Sequence, residues 1–334
     1  MSEIDILSAG ANGYEGGNVA MRLLSNGMNP SALRTAATLR KDEWELLDKV
    51  VVEVARQRLV GVADLMSRGL SFKLTNPLGT LVLQHETLSE MTAAEVSMDA
   101  VTPTARDRVE FNLVNTPLPI VHKDFTLTAR NLESSRRLGQ PLDTTSVAEA
   151  SRQVVEKIED MLFNGLSSGG ILGFGTSTAS LYGYRTHPSR NTVSIGTAWD
   201  DAAVTGSDIL DDVLAMVTAA QADMRYGPYM LYVPSNYWVL LQDDFKSNSD
   251  KTILQRLKEI SGIVDVKVAD KLPEDNVLLI EMARDVVDMV DGIQPMVVSW
   301  DSQGGMVMNF KVLAIMVPRI KADYNGNCGV VHMS

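Results

Sequence analysis

The side chains that could carry out chemistry in this sequence are few and scattered. The usual candidates for acid–base, metal-binding and nucleophilic roles are four histidines and one cysteine: His85, His122, His187, His332 and Cys328. No two histidines lie close in sequence, and no His-Glu-x-x-His pattern places two of them on one helix face. A single cysteine excludes a disulfide framework and a cysteine-based zinc cage. We therefore predict no metal site.

Adjacent carboxylates could in principle serve as a general acid and base or hold a metal ion. Such pairs are Glu159/Asp160, Asp200/Asp201, Asp211/Asp212 and Asp243/Asp244. Adjacent side chains on a helix point about 100° apart, which suits a solvated surface better than a shared site. We therefore predict that these pairs lie on solvated helix turns and loops, and we predict no catalytic residue.

Nucleotide-binding patterns are also missing from the sequence. No Gly-x-x-x-x-Gly-Lys-Ser/Thr phosphate loop occurs. Gly170, Gly173 and Gly175 superficially resemble a dinucleotide loop, but their spacing is wrong and they follow a predicted helix where a strand is required. We therefore predict no bound cofactor.

Composition narrows the class of protein further. The 334 residues include 30 Lys and Arg against 42 Asp and Glu, a formal net charge of −12, which argues against a general nucleic-acid binder. An apolar fraction of 45% excludes a disordered chain, and the length favours two lobes. The acidic residues 1–5 do not form a signal peptide, and apolar runs such as 312–317 are too short to span a bilayer. We expect a soluble, intracellular protein.

The predicted helices and strands that position these residues are accompanied by extended segments that a single chain cannot bury in its own core. Residues 1–38 are rich in Gly, Asn and Ser and predict an extended arm or, alternatively, a disordered terminus. Residues 40–68 have helical periodicity. Residues 77–121 predict two strands joined by a polar segment, in which Val109, Phe111 and Leu113 alternate as in a half-buried strand. This is either a long projecting hairpin or an ordinary surface loop.

The clearest helix follows at 143–165, with Gly165 as its C-terminal cap. Residues 166–206 are loop-like, and the sequence after 207 has an α/β pattern, with a helix that Ser207 caps. An arm, a hairpin and a rod-like helix without a catalytic constellation indicate assembly with neighbouring chains.

The order of these parts resembles a known family. The resemblance is carried by Pro117-Leu118-Pro119-Ile120-Val121-His122-Lys123-Asp124-Phe125, by Arg136-Arg137-Leu138-Gly139-Gln140-Pro141-Leu142-Asp143, and by Glu159-Asp160-Met161-Leu162-Phe163-Asn164-Gly165 with Gly170-Ile171-Leu172-Gly173. These runs resemble the spine-helix region of encapsulin shell proteins and of the major capsid proteins of tailed phages, the HK97-like fold. Asn76-Pro77-Leu78-Gly79 is similar to the turn that opens the extended loop of that family.

The resemblance implies an α+β fold with an N-terminal arm, an extended β-hairpin loop, a peripheral domain with a long spine helix and an axial α/β domain. The implied ranges are an arm at 1–38, an N-terminal helix of the peripheral domain at 39–76, the extended loop at 77–121, the peripheral domain with its spine helix (143–165) at 122–204, the axial domain at 205–292, and closing strands with the C-terminus at 293–334.

The resemblance also implies a function. The chain would assemble with itself into pentamers and hexamers of an icosahedral shell that encloses the double-stranded DNA of a tailed phage. The implied partners are a portal protein, separate scaffolding or decoration proteins, and DNA held by enclosure, with no membrane. The implied location is the virion capsid, assembled in the bacterial cytoplasm. The alternative is an encapsulin-type shell around a cargo enzyme; the glycine-rich arm and the extra loop at 176–205 favour the capsid.

One departure from the family pattern yields a prediction. Some relatives lock the shell by a bond between a lysine in the loop and an asparagine side chain. Residues 77–121 contain no lysine, and Lys73 and Lys123 only flank them. We predict a shell that is held without covalent crosslinks.

Overall fold

In a computed structural model, the chain is described at residues 41–89, 91–94, 96–98, 108–137, 144–167, 180–246, 250–303 and 306–334. The predicted arm at 1–38 lies outside these residues. The chain divides into two compact units. Unit 1 takes residues up to Leu81, Leu118–Phe163 and Asp288–Pro318, and unit 2 takes Val82–Pro117, Asn164–Val287 and Arg319–Ser334.

The described chain contains both helices and strands. The helices are α1 (Lys41–Arg58), α2 (Val60–Ser67), α3 (Ala129–Arg137), α4 (Thr145–Asn164), α5 (Gly206–Ala222), α6 (Ser235–Leu240) and α7 (Ile253–Lys258). The strands are β1 (Ser71–Lys73), β2 (Val82–Leu88), β3 (Phe111–Pro117), β4 (Val121–Thr128), β5 (Asn191–Val193), β6 (Tyr229–Val233), β7 (Ile263–Val268), β8 (Val277–Glu281), β9 (Val287–Ser302), β10 (Val307–Ile320) and β11 (Val330–Met333). In the described ranges, no helix is both long enough and apolar enough to cross a bilayer.

Unit 1 is built on a four-stranded sheet in the order β1-β9-β10-β4. The helical pattern of residues 40–68 forms two helices rather than one, because the chain breaks at Leu59, whose ψ of 84° is not helical. Gly61 in α2 lies so close to α4 that an added Cβ would be 2.8 Å from a Leu162 methyl carbon. The side chains of Leu47, Val51 and Leu65 are buried in this unit.

The predicted spine helix is α4, and it begins and ends close to the predicted residues. Its apolar stripe is fully buried, including Val147, Val154 and Ile158. Gly165 follows with a φ of +70°, the left-handed conformation that glycine adopts most easily. An added Cβ at Gly165 would lie 2.3 Å from the carbonyl oxygen of Leu181, so this position also lacks space for a side chain.

Unit 2 contains a five-stranded sheet in the order β5-β11-β8-β6-β7. The three inner strands are entirely buried, as expected for a sheet covered on both faces. Helix α5 begins after Thr205, whose backbone N–H donates to the Asp208 carboxylate (2.8 Å), so Thr205 rather than the predicted Ser207 occupies the N-terminal cap.

This sheet extends beyond the residues predicted for the axial domain. Strands β5 and β11 come from outside 205–292, because β11 pairs with β8 on one side and with β5 on the other. Pairing between segments so far apart in sequence leaves no local trace in either segment. The assignment of the ranges to peripheral and axial domains stays a prediction.

Unit 2 also includes a two-stranded antiparallel hairpin of β2 and β3, seven residue pairs long, from Val82↔Pro117 to Leu88↔Phe111. The hairpin predicted within 77–121 is therefore present. The predicted half-buried face is wrong for the outer end of the hairpin, because Phe111 and Leu113 are exposed among the described residues.

Candidate functional site

The structure brings together three of the four histidines that are far apart in sequence. His187 and His332 are buried, and Arg190 links them by donating from Nε to His332 Nδ1 (3.3 Å) and from Nη1 to the His187 carbonyl (3.0 Å). Burial and the Arg190 charge lower the pKa of both histidines to about 4, and His85 contributes to the shift at His187. Both rings are neutral near pH 7. His122 is exposed beside Asp124 (3.6 Å).

Among the described residues, no three His, Cys, Asp or Glu side chains are grouped so that they could hold a metal ion. Cys328 is buried, and burial raises the pKa of its thiol to about 11, so it remains protonated and poorly nucleophilic near pH 7. Gly170, Gly173 and Gly175 lie outside the described residues.

One catalytic pattern that the sequence reasoning missed lies at residues 165–169, Gly-Leu-Ser-Ser-Gly. Its spacing is that of a nucleophile elbow, in which a serine sits on a turn between a strand and a helix. Here the pattern follows the end of α4, so the strand that should precede it is a helix. We assign it no catalytic role.

Three of the four carboxylate pairs are at least partly exposed, as predicted: Asp200/Asp201, Asp211/Asp212 and Asp243/Asp244. The fourth pair departs from the prediction. Asp160 lies on the surface of α4 with Lys157 (2.8 Å), as predicted, but its neighbour Glu159 is buried. Glu159 Oε1 accepts from the N–H of Gly61 (2.6 Å) at the start of α2. The spacing could have revealed this, because Glu159 lies four residues after Val155 on the apolar side of the helix.

Burial changes the acidity of Glu159. The loss of hydration and the nearby charge of Asp64 raise its pKa to about 7, although the hydrogen bonds from Gly61 and Val62 lower it. The carboxyl group of Glu159 therefore joins α4 to α2 in unit 1 and exchanges its proton near neutral pH.

The outer end of the β2–β3 hairpin has the clearest features of a contact surface. Directly opposed residues lie on the same face, so Leu88, Phe111 and Leu113 share one face at the end away from Val82 and Pro117. Their exposed fractions are 54%, 66% and 56%. Met91, Val96 and Met98, in the segment that joins the strands, are also exposed. We call Leu88, Phe111 and Leu113 the hairpin patch.

The hairpin patch is held in place within its own unit. Two hydrogen bonds close the end of the hairpin: Ser89 N–H donates to the carbonyl oxygen of Glu110 (2.9 Å), and Glu110 N–H donates to Ser89 Oγ (2.8 Å). The Tyr324 hydroxyl donates to the Glu110 carboxylate (3.3 Å). Three apolar side chains on an ordered, solvated strand pair indicate a surface that another chain covers.

The comparison with protein families gives one match. A model described as a family of unknown function, DUF6260, matches residues 33–333.

Two curated relatives are shell proteins by name. One is the diheme-cytochrome-encapsulin shell fusion protein of Kuenenia stuttgartiensis, 27% identical over 292 residues, which are 85% of this chain and 71% of that protein. The other is the type 1 encapsulin shell protein EncA of Myxococcus xanthus, 24% identical over 296 residues, which are 85% of this chain and 90% of that protein.

Two solved structures show the fold. A virus-like particle from Pyrococcus furiosus matches with a TM-score of 0.61 at 16% identity, over 87% of this chain and 99% of that chain. The capsid of Myoviridae phage XM1 matches with a TM-score of 0.59 at 13% identity, over 76% and 85%. The HK97-like fold predicted from the sequence is confirmed.

Proposed function

The chain belongs to the DUF6260 family. We propose that it is the subunit of a closed, icosahedral protein shell made of pentamers and hexamers. The observation that carries the proposal is the exposed hairpin patch on a fold that phage capsids and virus-like particles share. The curated relatives, both named as shell proteins, support a structural rather than an enzymatic role.

In the proposed mechanism, identical subunits contact one another through different surfaces. The repeated contacts form a closed shell when the rotations between neighbouring subunits complete a closed symmetry. The hairpin patch would lie on a neighbouring subunit and bury its three side chains there. Apolar burial contributes roughly 25 cal/mol per Å², and the freedom that the subunits and their side chains lose on association offsets part of this. The arm at 1–38 and the axial domain at 205–292 would add further contacts of the same kind.

For the contents of the shell, we propose the double-stranded DNA genome of a tailed phage. A net charge of −12 fits a container that holds DNA by enclosure rather than by binding its phosphates. In this role the shell would form in the bacterial cytoplasm with a portal protein and with separate scaffolding or decoration proteins.

A second candidate is favoured by the two curated relatives, whose names identify them as encapsulin shell proteins. In that role the shell would enclose a cargo protein instead of a genome. An acidic wall is compatible with both contents.

The experiment is purification of particles of the full chain from its native source, followed by electron microscopy, nuclease treatment and mass spectrometry. Closed shells with nuclease-protected DNA are expected. Closed shells that enclose one abundant protein besides the shell subunit, and no DNA, would refute the capsid proposal and support the second candidate. A chain that stays monomeric at high concentration would refute the shell itself.

A deletion tests the role of the hairpin. We expect that a chain lacking residues 90–105 folds, because in the sequence these residues lie between β2 and β3, whose paired residues are 82–88 and 111–117. It should fail to close shells. A chain in which a Gly-Ser segment of equal length replaces the same residues is the control for loop length, and normal particles from both variants would contradict the proposal.

A further inference from the structure

In unit 2, Arg190 contacts the buried His332, Arg185 also acts on the charge of that ring, and neutral groups hold both arginines. Arg185 donates from Nε to Oδ1 of Asn164 (2.9 Å), and Asn164 is itself fixed by donating from Nδ2 to the Lys271 carbonyl (2.8 Å). Arg190 donates to the His332 ring and to the His187 carbonyl, as described above. Each guanidinium is therefore oriented by its own chain.

Neither arginine has a negative partner among the described residues. Their hydrogen bonds go to an amide, an imidazole and a backbone carbonyl, and no described carboxylate lies within ion-pair distance, 4.0 Å, of either one. The neutral rings of His187 and His332 add no opposite charge. His332 accepts a hydrogen bond from Arg190 at Nδ1. Its proton is therefore on Nε2, which donates a hydrogen bond to Asn276 Oδ1 (2.7 Å).

This arrangement leaves two half-buried positive charges uncompensated within the described chain. Both charges act on the same ring, because Arg190 and Arg185 each lower the pKa of His332. A partly buried charge is costly unless an opposite charge pairs with it. A guanidinium has five N–H donors in a planar fork. Toward the described residues Arg185 uses one of them and Arg190 uses two, so donors remain that suit a carboxylate.

We propose that Arg185 and Arg190 form a carboxylate-binding site that a second copy of this chain fills in the assembled shell. This inference rests on the proposed function. Each copy carries 42 Asp and Glu against 30 Lys and Arg, so the oxyanion that a neighbouring subunit supplies most readily is a carboxylate. Binding of a nucleic-acid backbone instead would need a row of basic groups, and the two histidines of this region are neutral near pH 7.

The first test is a high-resolution cryo-electron microscopy map of particles assembled from the full chain. The expected result is an Asp or Glu carboxylate of a neighbouring subunit within 4.0 Å of a guanidinium nitrogen of Arg185 or Arg190. Closed shells in which both guanidinium groups face solvent or nucleic-acid phosphate would overturn the inference and leave the proposed function intact. Absence of any shell from the unaltered chain would refute the proposed function instead.

The second test uses Arg185→Gln and Arg190→Gln, with Arg256→Gln as the control. Arg256 is an exposed arginine of the same unit that already has a carboxylate partner in Glu259 (3.4 Å). Each of the two test variants should need about tenfold more subunit for half-maximal assembly by sedimentation, while its subunit melting temperature stays unchanged or rises. Arg190→Lys should recover part of the assembly, because it keeps the charge. Melting temperatures that fall in proportion to assembly would show a purely structural role and overturn the inference.

Discussion

Replacement of Glu159 by Gln tests the buried carboxyl group between α4 and α2. The pKa of Glu159 rises from its ordinary 4.5 to about 7, chiefly because burial removes its hydration. The folded chain therefore binds this proton more tightly than the unfolded chain. Stability from this group is fully present below pH 4.5, is lost as the pH rises to about 7, and is constant above it.

The expected magnitude follows from the size of the shift. One pKa unit corresponds to about 1.4 kcal/mol, so Glu159 makes the free energy of unfolding roughly 3 kcal/mol lower at pH 8 than at pH 4.5. In Glu159→Gln this contribution is absent at every pH. The amide keeps an acceptor for Gly61 N–H, but its NH₂ group then faces Val62 N–H, which adds a cost that does not depend on pH.

The assay is urea unfolding of both proteins by circular dichroism between pH 4.5 and 8, at concentrations below those of assembly. The quantity to follow is the unfolding free energy of the unaltered chain minus that of Glu159→Gln, since other titrating groups, including His187 and His332, cancel in this difference. It should fall by roughly 3 kcal/mol across the range. Glu149→Gln, on the exposed face of the same helix, is the control. A flat or rising difference would refute the buried-carboxyl account.

Three further outcomes are expected. Phe111→Ser removes the most exposed member of the hairpin patch, so it should reduce particle yield, measured by sedimentation, while the subunit melting temperature changes little. The control is Thr87→Ser, on the opposite face of the hairpin. An equal loss of particle yield in both variants would contradict a role for the patch. Denaturing gels of purified particles should show only monomer, because residues 77–121 lack lysine, and a ladder of multimers would refute this. Gly165→Ala should lower the free energy of unfolding in urea by about 1 kcal/mol or more, because φ is +70° and an added Cβ would meet the Leu181 carbonyl. The control is Gly196→Ala, where no heavy atom lies within 4 Å of the added Cβ. Equal effects of the two substitutions would contradict the reasoning.

The elements that were predicted well are those whose cause is local. The helix predicted at 143–165 is Thr145–Asn164 because its apolar stripe repeats at helical spacing and a glycine ends it. The strands β2 and β3 were visible from their residue types, and the resemblance of the sequence to HK97-like shell proteins correctly gave the fold. A kink at Leu59 was missed, since the residues on both sides continue the same periodicity.

The sequence by itself determined that the chain has a helical spine, a hairpin and an acidic balance, because periodicity and charge belong to the segments themselves. Only the tertiary structure decided which side chains meet. It placed Glu159 against the start of α2, left the hairpin patch exposed among the described residues, and brought Arg190 into contact with His332. The burial of a side chain and its electrostatic partners depend on which other segments of the chain pack against it. The pairing of β11 with β5 and β8 brings such segments together, and it has no local signature in the sequence.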